Sequence, residues 1–258
     1  MGGRIVALVQ EAKDFALVGA VERAGHPSLG GDAGEVAGLG KIGLSLVDDL
    51  RSVVKEAQVV IDFTNPEAAV AHIAVAAENK VPAVVGTTGL TAGDLARIRE
   101  LSAAMPCVVS PNMSVGVNLL FKALAEIAST LGGEYDVEIF ETHHRFKKDA
   151  PSGTALKMAQ VIASALGRDL DRVGVYGRKG MIGERGKEEL AIHTLRAGDV
   201  VGEHTVVFGG MGERVEVTHR AHSRDTFARG ALRAARWVVG RPPGLYDMQA
   251  VLGLKARS

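Results

Sequence analysis

Three patterns of apolar and polar positions run along the chain, and each predicts a different kind of element. Short, almost continuous apolar runs at residues 59–63, 83–85 and 107–109 alternate with helix-spaced stretches at 66–79 and 91–105. Runs of that length between helices predict a parallel sheet buried on both faces, which binds ligands beyond the C-terminal ends of its strands. Ahead of them, residues 4–12 place Ile5, Leu8 and Val9 on one helical face, and 15–21 read as a strand ending in Glu22-Arg23. Residues 26–43 are Gly-rich and polar with little regular structure, and 44–54 return to helical spacing. The second pattern is a strongly amphipathic helix from Ser114, with Val117, Leu120, Phe121, Leu124, Ile127 and Leu131 on one face. The third is two-residue alternation at 135–141 and, in part, at 190–195, 200–208 and 214–219. It predicts a mixed or antiparallel sheet of about four strands. The loop 177–188 between them is charged and Gly-rich and is expected to be mobile, and a last helix spans 226–239.

The change of pattern near residue 114 divides the chain into a parallel-sheet α/β domain and an α+β domain with an open mixed sheet. Formal net charge is zero over 258 residues, which leaves no electrostatic footprint for nucleic acid or an anionic membrane. No apolar run looks long enough to span a bilayer and no signal peptide opens the chain, so a cytoplasmic setting is expected. The single cysteine, Cys107, sits in an apolar run, which rules out an internal disulfide and a multi-cysteine metal site. His26, His72, His193, His204, His219 and His222 are scattered without ligand spacing, so no metal is expected.

Chemistry concentrates in E-T-H-H-R-F-K-K-D-A-P-S-G-T-A, residues 141–155. Titratable groups stand at a strand end, and a helix over 152–166 follows, with Leu156, Ala159, Ile162, Ala163 and Leu166 on one face. Its free N-terminal amides, beside Gly153 where no Cβ blocks approach, make an anion site. Histidine and lysine add proton donors, so the composition suits a carboxylate-bearing substrate. Adjacent histidines in a strand point to opposite faces, so His143 and His144 serve one site only if the strand has ended between them.

The same stretch resembles the signature of the 4-hydroxy-tetrahydrodipicolinate reductase (dihydrodipicolinate reductase) family. The similarity continues through V-V-G-T-T-G (84–89), S-P-N-M-S-V-G-V-N (110–118) and R-A-G-D-V-V-G-E-H (196–204). It implies a Rossmann-like nucleotide domain of 1–114 and 224–258, with the last helix returning to it, and a substrate and oligomerisation domain of 115–223. It implies NAD(P)H-dependent reduction of a cyclic dicarboxylate in lysine and diaminopimelate synthesis, and a homotetramer assembled through the second-domain sheets. By resemblance, His143 is the acid/base, Lys147 the proton donor, and His144 with Gly153 and Thr154 binds substrate. Gly86, Thr87 and Thr88, with Ser110, Pro111, Asn112 and Met113, cradle the nicotinamide end.

In a dinucleotide fold an acid at the end of the second strand accepts from ribose hydroxyls, and a following Arg pairs with a 2′-phosphate. Glu22 and Arg23 stand there, so both NADH and NADPH are expected. A charged pair on the surface is the plainer reading of the same two residues. Asn65 departs from the basic residue common in the family. The family opening, an apolar strand leading into a Gly-rich turn, has no counterpart beyond Met1-Gly2-Gly3. Met1 reads as an internal methionine of that turn and a cofactor contact. The expectation is therefore a chain begun about 15 residues late, one strand and one turn, with two strands left unpaired around an apolar slot. Two other readings stay open: a non-catalytic or cofactor-impaired paralogue, and another two-domain Rossmann dehydrogenase acting on a carboxylated imine.

Overall fold

The computed structural model describes residues 1–254, folded as two compact units: 1–115 with the chain from Arg224 onward, and Gly116–Ser223. In chain order the first unit contributes α1 (Gly2–Glu11), β1 (Ala20–Val21), α2 (Ala33–Val36), β2 (Leu46–Val47), 3₁₀ turns at Leu50–Ser52 and Val54–Glu56, β3 (Val60–Asp62), α3 (Pro66–Glu78), β4 (Ala83–Val85), α4 (Ala92–Leu101) and β5 (Pro106–Val109). The second follows with α5 (Val115–Leu131), β6 (Asp136–His143), α6 (Gly153–Ala165), α7 (Leu170–Val173), β7 (Gly174–Val175), β8 (Leu190–Arg196), β9 (Gly202–Gly209) and β10 (Arg214–Ala221). Then α8 (Asp225–Val238), β11 (Gly244–Tyr246) and α9 (Met248–Val251) return to the first unit.

In the first unit a parallel sheet runs in the order β11-β5-β4-β3. Ala83, Val85 and Cys107 pack with Ile73 and Ala76 of α3 and Ile98 of α4. Val84 and Val108 point the other way, to Ala231, Ala235 and Val238 of α8. Both faces are covered, which is why the strands read as continuous apolar runs. Asn65 caps α3, accepting from the Ala68 amide at 3.0 Å, so the residue that departs from the family pattern has a local structural task. Cys107 is fully buried, and burial pushes its thiol up to about 12.

Two expectations fail here, and a third region proves ordered by one side chain. Of residues 15–21 only Ala20 and Val21 form a strand, paired with Leu46 and Val47 in a separate two-stranded sheet. Residues 44–54 form β2 and the two 3₁₀ turns instead of a helix; their apolar spacing drops Leu50 and Val54 into a small core with Val75 and Val81. The Gly-rich stretch 26–43 is organised by buried Asp32, whose carboxylate caps α2 by accepting from Gly34 N at 2.8 Å and also binds Ile42 N and Gly43 N at 3.1 and 2.7 Å. β11 and α9 are short elements that the hydrophobic pattern did not announce.

Among the described residues the first unit's two sheets do not join: β1 pairs with β2 alone, and β3 with β4 alone. A cavity of about 520 Å³ is lined by residues of both flanks, among them Leu17 and Val18 before β1, Ile61 of β3, and Ile5 and Val9 of α1. The shortness of β1 follows, because a ladder forms only where a partner stands.

The second unit has one five-stranded sheet, β10-β9-β6-β8-β7, with β6 parallel to β8 and antiparallel to β9. Val137, Ile139, Ile192, Val206 and Phe208 on one face pack against Phe121 and Leu124 of α5 and Met158 and Ile162 of α6. The loop expected to be mobile is tied down. Arg178 makes two 2.9 Å bonds to Glu138, while Arg185 reaches Glu138 at 3.0 Å and Asp136 at 2.8 Å. The membrane expectation also needs correction. Val115–Glu134, 20 residues of mean hydropathy 1.3, is long and apolar enough by length and composition to cross a bilayer. Lys122 and Glu126 break its apolar runs, and its buried side chains lie on the sheet.

Candidate active site

Alternation along β6 turns Val137, Ile139, Glu141 and His143 to the packed face, so the last two inward positions are polar. Glu141 is fully buried, a placement that requires partners for every lone pair it can offer. It has them. Arg196, opposite His143 in the β6/β8 register, grips both oxygens at 2.9 and 3.0 Å, and Ser152 N donates to Oε1 at 3.0 Å. His143 Nδ1 makes a short contact with Oε2. Burial alone would raise this carboxyl, but His143, Arg196 and the Ser152 amide hold it down at about 2.

Ser152 also caps α6, its Oγ accepting from Ala155 N at 3.1 Å. The same Oγ lies 3.1 Å from His204 Nε2, and the His204 ring meets His143 edge-on with centroids 5.2 Å apart. Burial, with His143 beside it, pushes His204 down to about 3, so this imidazole is neutral. A Cβ at Gly202 would stand 2.9 Å from His143 Nε2, so a side chain there would crowd that nitrogen. Lys147 Nζ donates to Asp149 Oδ1 at 2.8 Å, and Arg196 Nη2 donates to Asp149 O at 2.6 Å.

β6 ends at His143, which frees His144 from strand alternation; its Nδ1 is buried with no hydrogen-bond partner. A Cβ at Gly153 would meet nothing within 4 Å, so the space before the first turn of α6 is open, and Thr154 follows in that turn. The structure thus brings His143, His144, Lys147, Gly153 and Thr154 to one end of one sheet. Glu141, Arg196, Ser152, His204 and Gly202 join them. Glu141 had a readable signal, an acid at an inward position of an alternating strand; its pairing with Arg196, 55 residues away, had none.

In the first unit, loops follow β3, β4 and β5 at their C-terminal ends. Thr64 N donates to Thr87 Oγ1 at 2.9 Å, and Thr87 Oγ1 donates to buried Asp62 at 2.8 Å. His72 Nδ1 meets Asp62 at 2.6 Å. Burial would raise Asp62, yet His72, Thr64 and Thr87 hold it below the usual carboxylate range. Ser110 Oγ donates to Asn112 O at 2.8 Å. Thr87, Ser110 and Met113 are buried; the two hydroxyls are spent on the loops themselves and the Met113 side chain is core, leaving backbone with exposed Thr88 and Pro111 to face a ligand. A Cβ at Gly86 would strike the Phe63 ring at 2.3 Å. α1 begins after Met1 with no side-chain cap, and a Cβ at Gly2 would meet nothing within 4 Å, an open helix start that suits a phosphate. Glu22 follows β1 and accepts from Arg23 N at 2.8 Å, with the Arg23 side chain exposed. Strand-end loops, an open glycine helix start and a strand-end acid are the parts with which a nicotinamide dinucleotide is held.

Two family models match the chain: "Dihydrodipicolinate reductase, N-terminus" over residues 1–113 and "Dihydrodipicolinate reductase, C-terminus" over 116–252. The chain is 59% identical over 256 residues to a 4-hydroxy-tetrahydrodipicolinate reductase of Syntrophus aciditrophicus, covering 99% of this chain and 96% of that one. It is 54% identical over 255 residues, with the same coverage, to a 4-hydroxy-tetrahydrodipicolinate reductase of Geotalea uraniireducens. Among solved structures it is similar to the dipicolinate-bound dihydrodipicolinate reductase of Paenisporosarcina sp. TG-14, with a TM-score of 0.71 and 26% identity over 95% of this chain and 92% of that one.

Proposed function

The chain belongs to the dihydrodipicolinate reductase family, and from that premise we propose how its residues carry the reaction. It reduces 4-hydroxy-tetrahydrodipicolinate to tetrahydrodipicolinate in lysine and diaminopimelate synthesis, with loss of water. The nicotinamide dinucleotide, when bound, supplies the hydride. Met1 and the Gly2-Gly3 helix start, Glu22, Arg23 and the loops 86–88 and 110–113 hold it, and both NADH and NADPH are accepted.

The observation that carries the site assignment is the cluster at the end of β6. There a histidine whose Nδ1 is held by one buried acid, a lysine four residues on and an open helix start stand together. His143 moves a proton at Nε2, and the Lys147 ammonium donates one. The amides opening α6, with Thr154 and the unpartnered His144 Nδ1, hold a substrate carboxylate. The open face of the second sheet carries Phe140 stacked on His193, with Leu195 exposed, and we place the contacts of a homotetramer there. A cytoplasmic setting and a small-molecule partner belong to the same reading, and the formal neutrality of the chain offers no electrostatic footprint for nucleic acid.

The test is oxidation of NADH and of NADPH in the presence of enzymatically generated substrate. Substrate-dependent oxidation is expected with both, and dipicolinate is expected to compete with the substrate. No turnover with either nucleotide overturns the reading. Competition by dipicolinate against the nucleotide alone overturns the placement of substrate.

A further inference from the structure

We propose that Glu141 is the positioning residue of this site: it fixes the tautomer and orientation of His143 and, through Arg196, the place of the segment that carries Lys147. The proposal rests on the reading of His143 as the proton carrier, and it deepens that reading.

Three observations carry it. First, Glu141 makes four hydrogen-bonded contacts through two oxygens while fully buried. An ionised carboxylate only accepts, so the hydrogen shared with His143 belongs to Nδ1. Neutral His143 is thereby left with its lone pair on Nε2, the nitrogen that a Cβ at Gly202 would crowd at 2.9 Å. Second, Arg196 spans Glu141 and Asp149 O. Asp149 in turn holds Lys147 Nζ, so one carboxylate reaches both proton carriers along a path of charge-assisted bonds. Third, the Ser152 amide ties the approach to α6 to the same Glu141 oxygen, which sets the open helix start relative to His143. A purely structural acid would need the Arg196 fork but neither the histidine contact nor the amide.

The charged and titratable groups around His143 are Glu141 on its own strand, Arg196 on β8, His204 on β9, and Lys147 and Asp149 on the following loop. Of these, Glu141 is the one hydrogen-bonded to the His143 ring, and His204 is neutral.

The experiment compares wild type with Glu141→Gln, with His143→Ala as reference. Glutamine keeps the shape, loses the charge and cannot accept with both ends. Its kcat is expected to fall about 10–100-fold, with KM for the dicarboxylate changing less and nucleotide affinity unchanged, since loss of an orienting partner resembles the loss of an outer-shell ligand to histidine. Nitrogen NMR of the labelled ring is expected to show Nδ1–H giving way to a mixture of tautomers. Where Glu141→Gln fails to fold, Glu141→Asp keeps the charge for Arg196 but draws the oxygens back from His143 by one methylene, and the same tautomer change is expected. A slow His143→Ala beside a Glu141 variant with wild-type rate and tautomer overturns the positioning role alone. A His143→Ala variant with wild-type turnover overturns the underlying assignment instead.

Discussion

The two units handle their sheets in opposite ways. In the second, β6, β9 and β10 are eight residues long and β8 seven, and they pair without interruption over one continuous core. In the first, among the described residues, no strand exceeds four residues, the pairing is broken into two sheets, and a cavity of about 520 Å³ is lined from both flanks of the break. The difference matches the kind of site each builds. Acid–base chemistry needs side chains held in one rotamer, and a long, closely packed sheet can bury an ionised glutamate to do that holding. Nucleotide binding asks mainly for backbone amides at strand ends and helix starts, which short strands present as well as long ones.

The largest effects should therefore come from single side chains of the second unit. His143→Ala and Lys147→Ala are each expected to lower kcat by a factor of about 10²–10⁴, the usual worth of a positioned proton transfer. Nucleotide affinity, measured by fluorescence titration, should hardly move. If both variants fold and turn over at the wild-type rate, proton transfer does not run through this cluster.

The first unit should respond instead to completion of its sheet. Met1 itself lines the cavity, so a short apolar segment with high strand propensity, fused ahead of it, begins where two strand edges lack partners. Each added kilocalorie moves the melting temperature of a chain this size by about 2–4 °C, and a filled slot is expected to raise it by about 5 °C or more. Calorimetry reads the shift. An unchanged melting temperature would mean that a strand does not fill this cavity.

Pattern length also decided what could be read in advance. α3, α5, α6 and α8 were legible because three or more turns repeat the same apolar spacing, and β6 because alternation runs through Val137, Ile139 and Glu141. Short elements carry no such repetition. β11 is three residues, β7 two, and the 3₁₀ turns at 50–56 borrow helix-like spacing without making a helix. α2 lies in a stretch where glycine hides any apolar repeat, and its cap, Asp32, shows only in the structure. The strand expected at 15–21 shrank because tertiary pairing, not local propensity, fixes strand length. In the site, the residue types of 141–155 pointed to chemistry on their own. Their support from Arg196, Gly202 and His204 lies on other strands, and register alone reveals it.

Acid should sharpen the contrast between the units. His204 is held neutral with its pKa pushed from 6.5 to about 3. The unfolded chain takes up that proton below 6.5 and the folded one does not, so this part of the stability is whole above pH 6.5 and drains away as pH falls toward 3. Glu141, lowered from 4.5 to about 2, adds a second loss below pH 4.5 with the same sign. In the first unit Asp14, Asp32, Asp62 and Asp94 are lowered from 3.8, so their contribution fades only below that pH. The protection factors of amides in β6 and β9 are expected to fall between pH 6.5 and 4.5 while fluorescence of Trp237, the single tryptophan, reports an unchanged first unit. Simultaneous loosening of both would refute this ordering.

The smallest expected effect lies at the edge of the nucleotide unit, in the pair Glu22-Arg23. Glu22 leaves β1 where a ribose acid stands in a dinucleotide fold, and its carboxylate already accepts from the Arg23 amide. It keeps a free oxygen for a ribose 2′-hydroxyl and repels a 2′-phosphate. The Arg23 guanidinium is exposed, so it can swing toward that phosphate, but the pair it forms there is screened by water. Exposed ion pairs are worth about 0.2–1 kcal/mol, which converts to a change of about fivefold or less in affinity. Arg23→Ala is therefore expected to weaken NADPH by a few-fold and leave NADH where it was, with the selectivity fading as salt is raised because the contact is solvent-exposed. Titrating both nucleotides at low and at high ionic strength checks it. Equal losses for the two would assign Arg23 to the protein surface, and a loss confined to NADH would reverse the roles given to the pair.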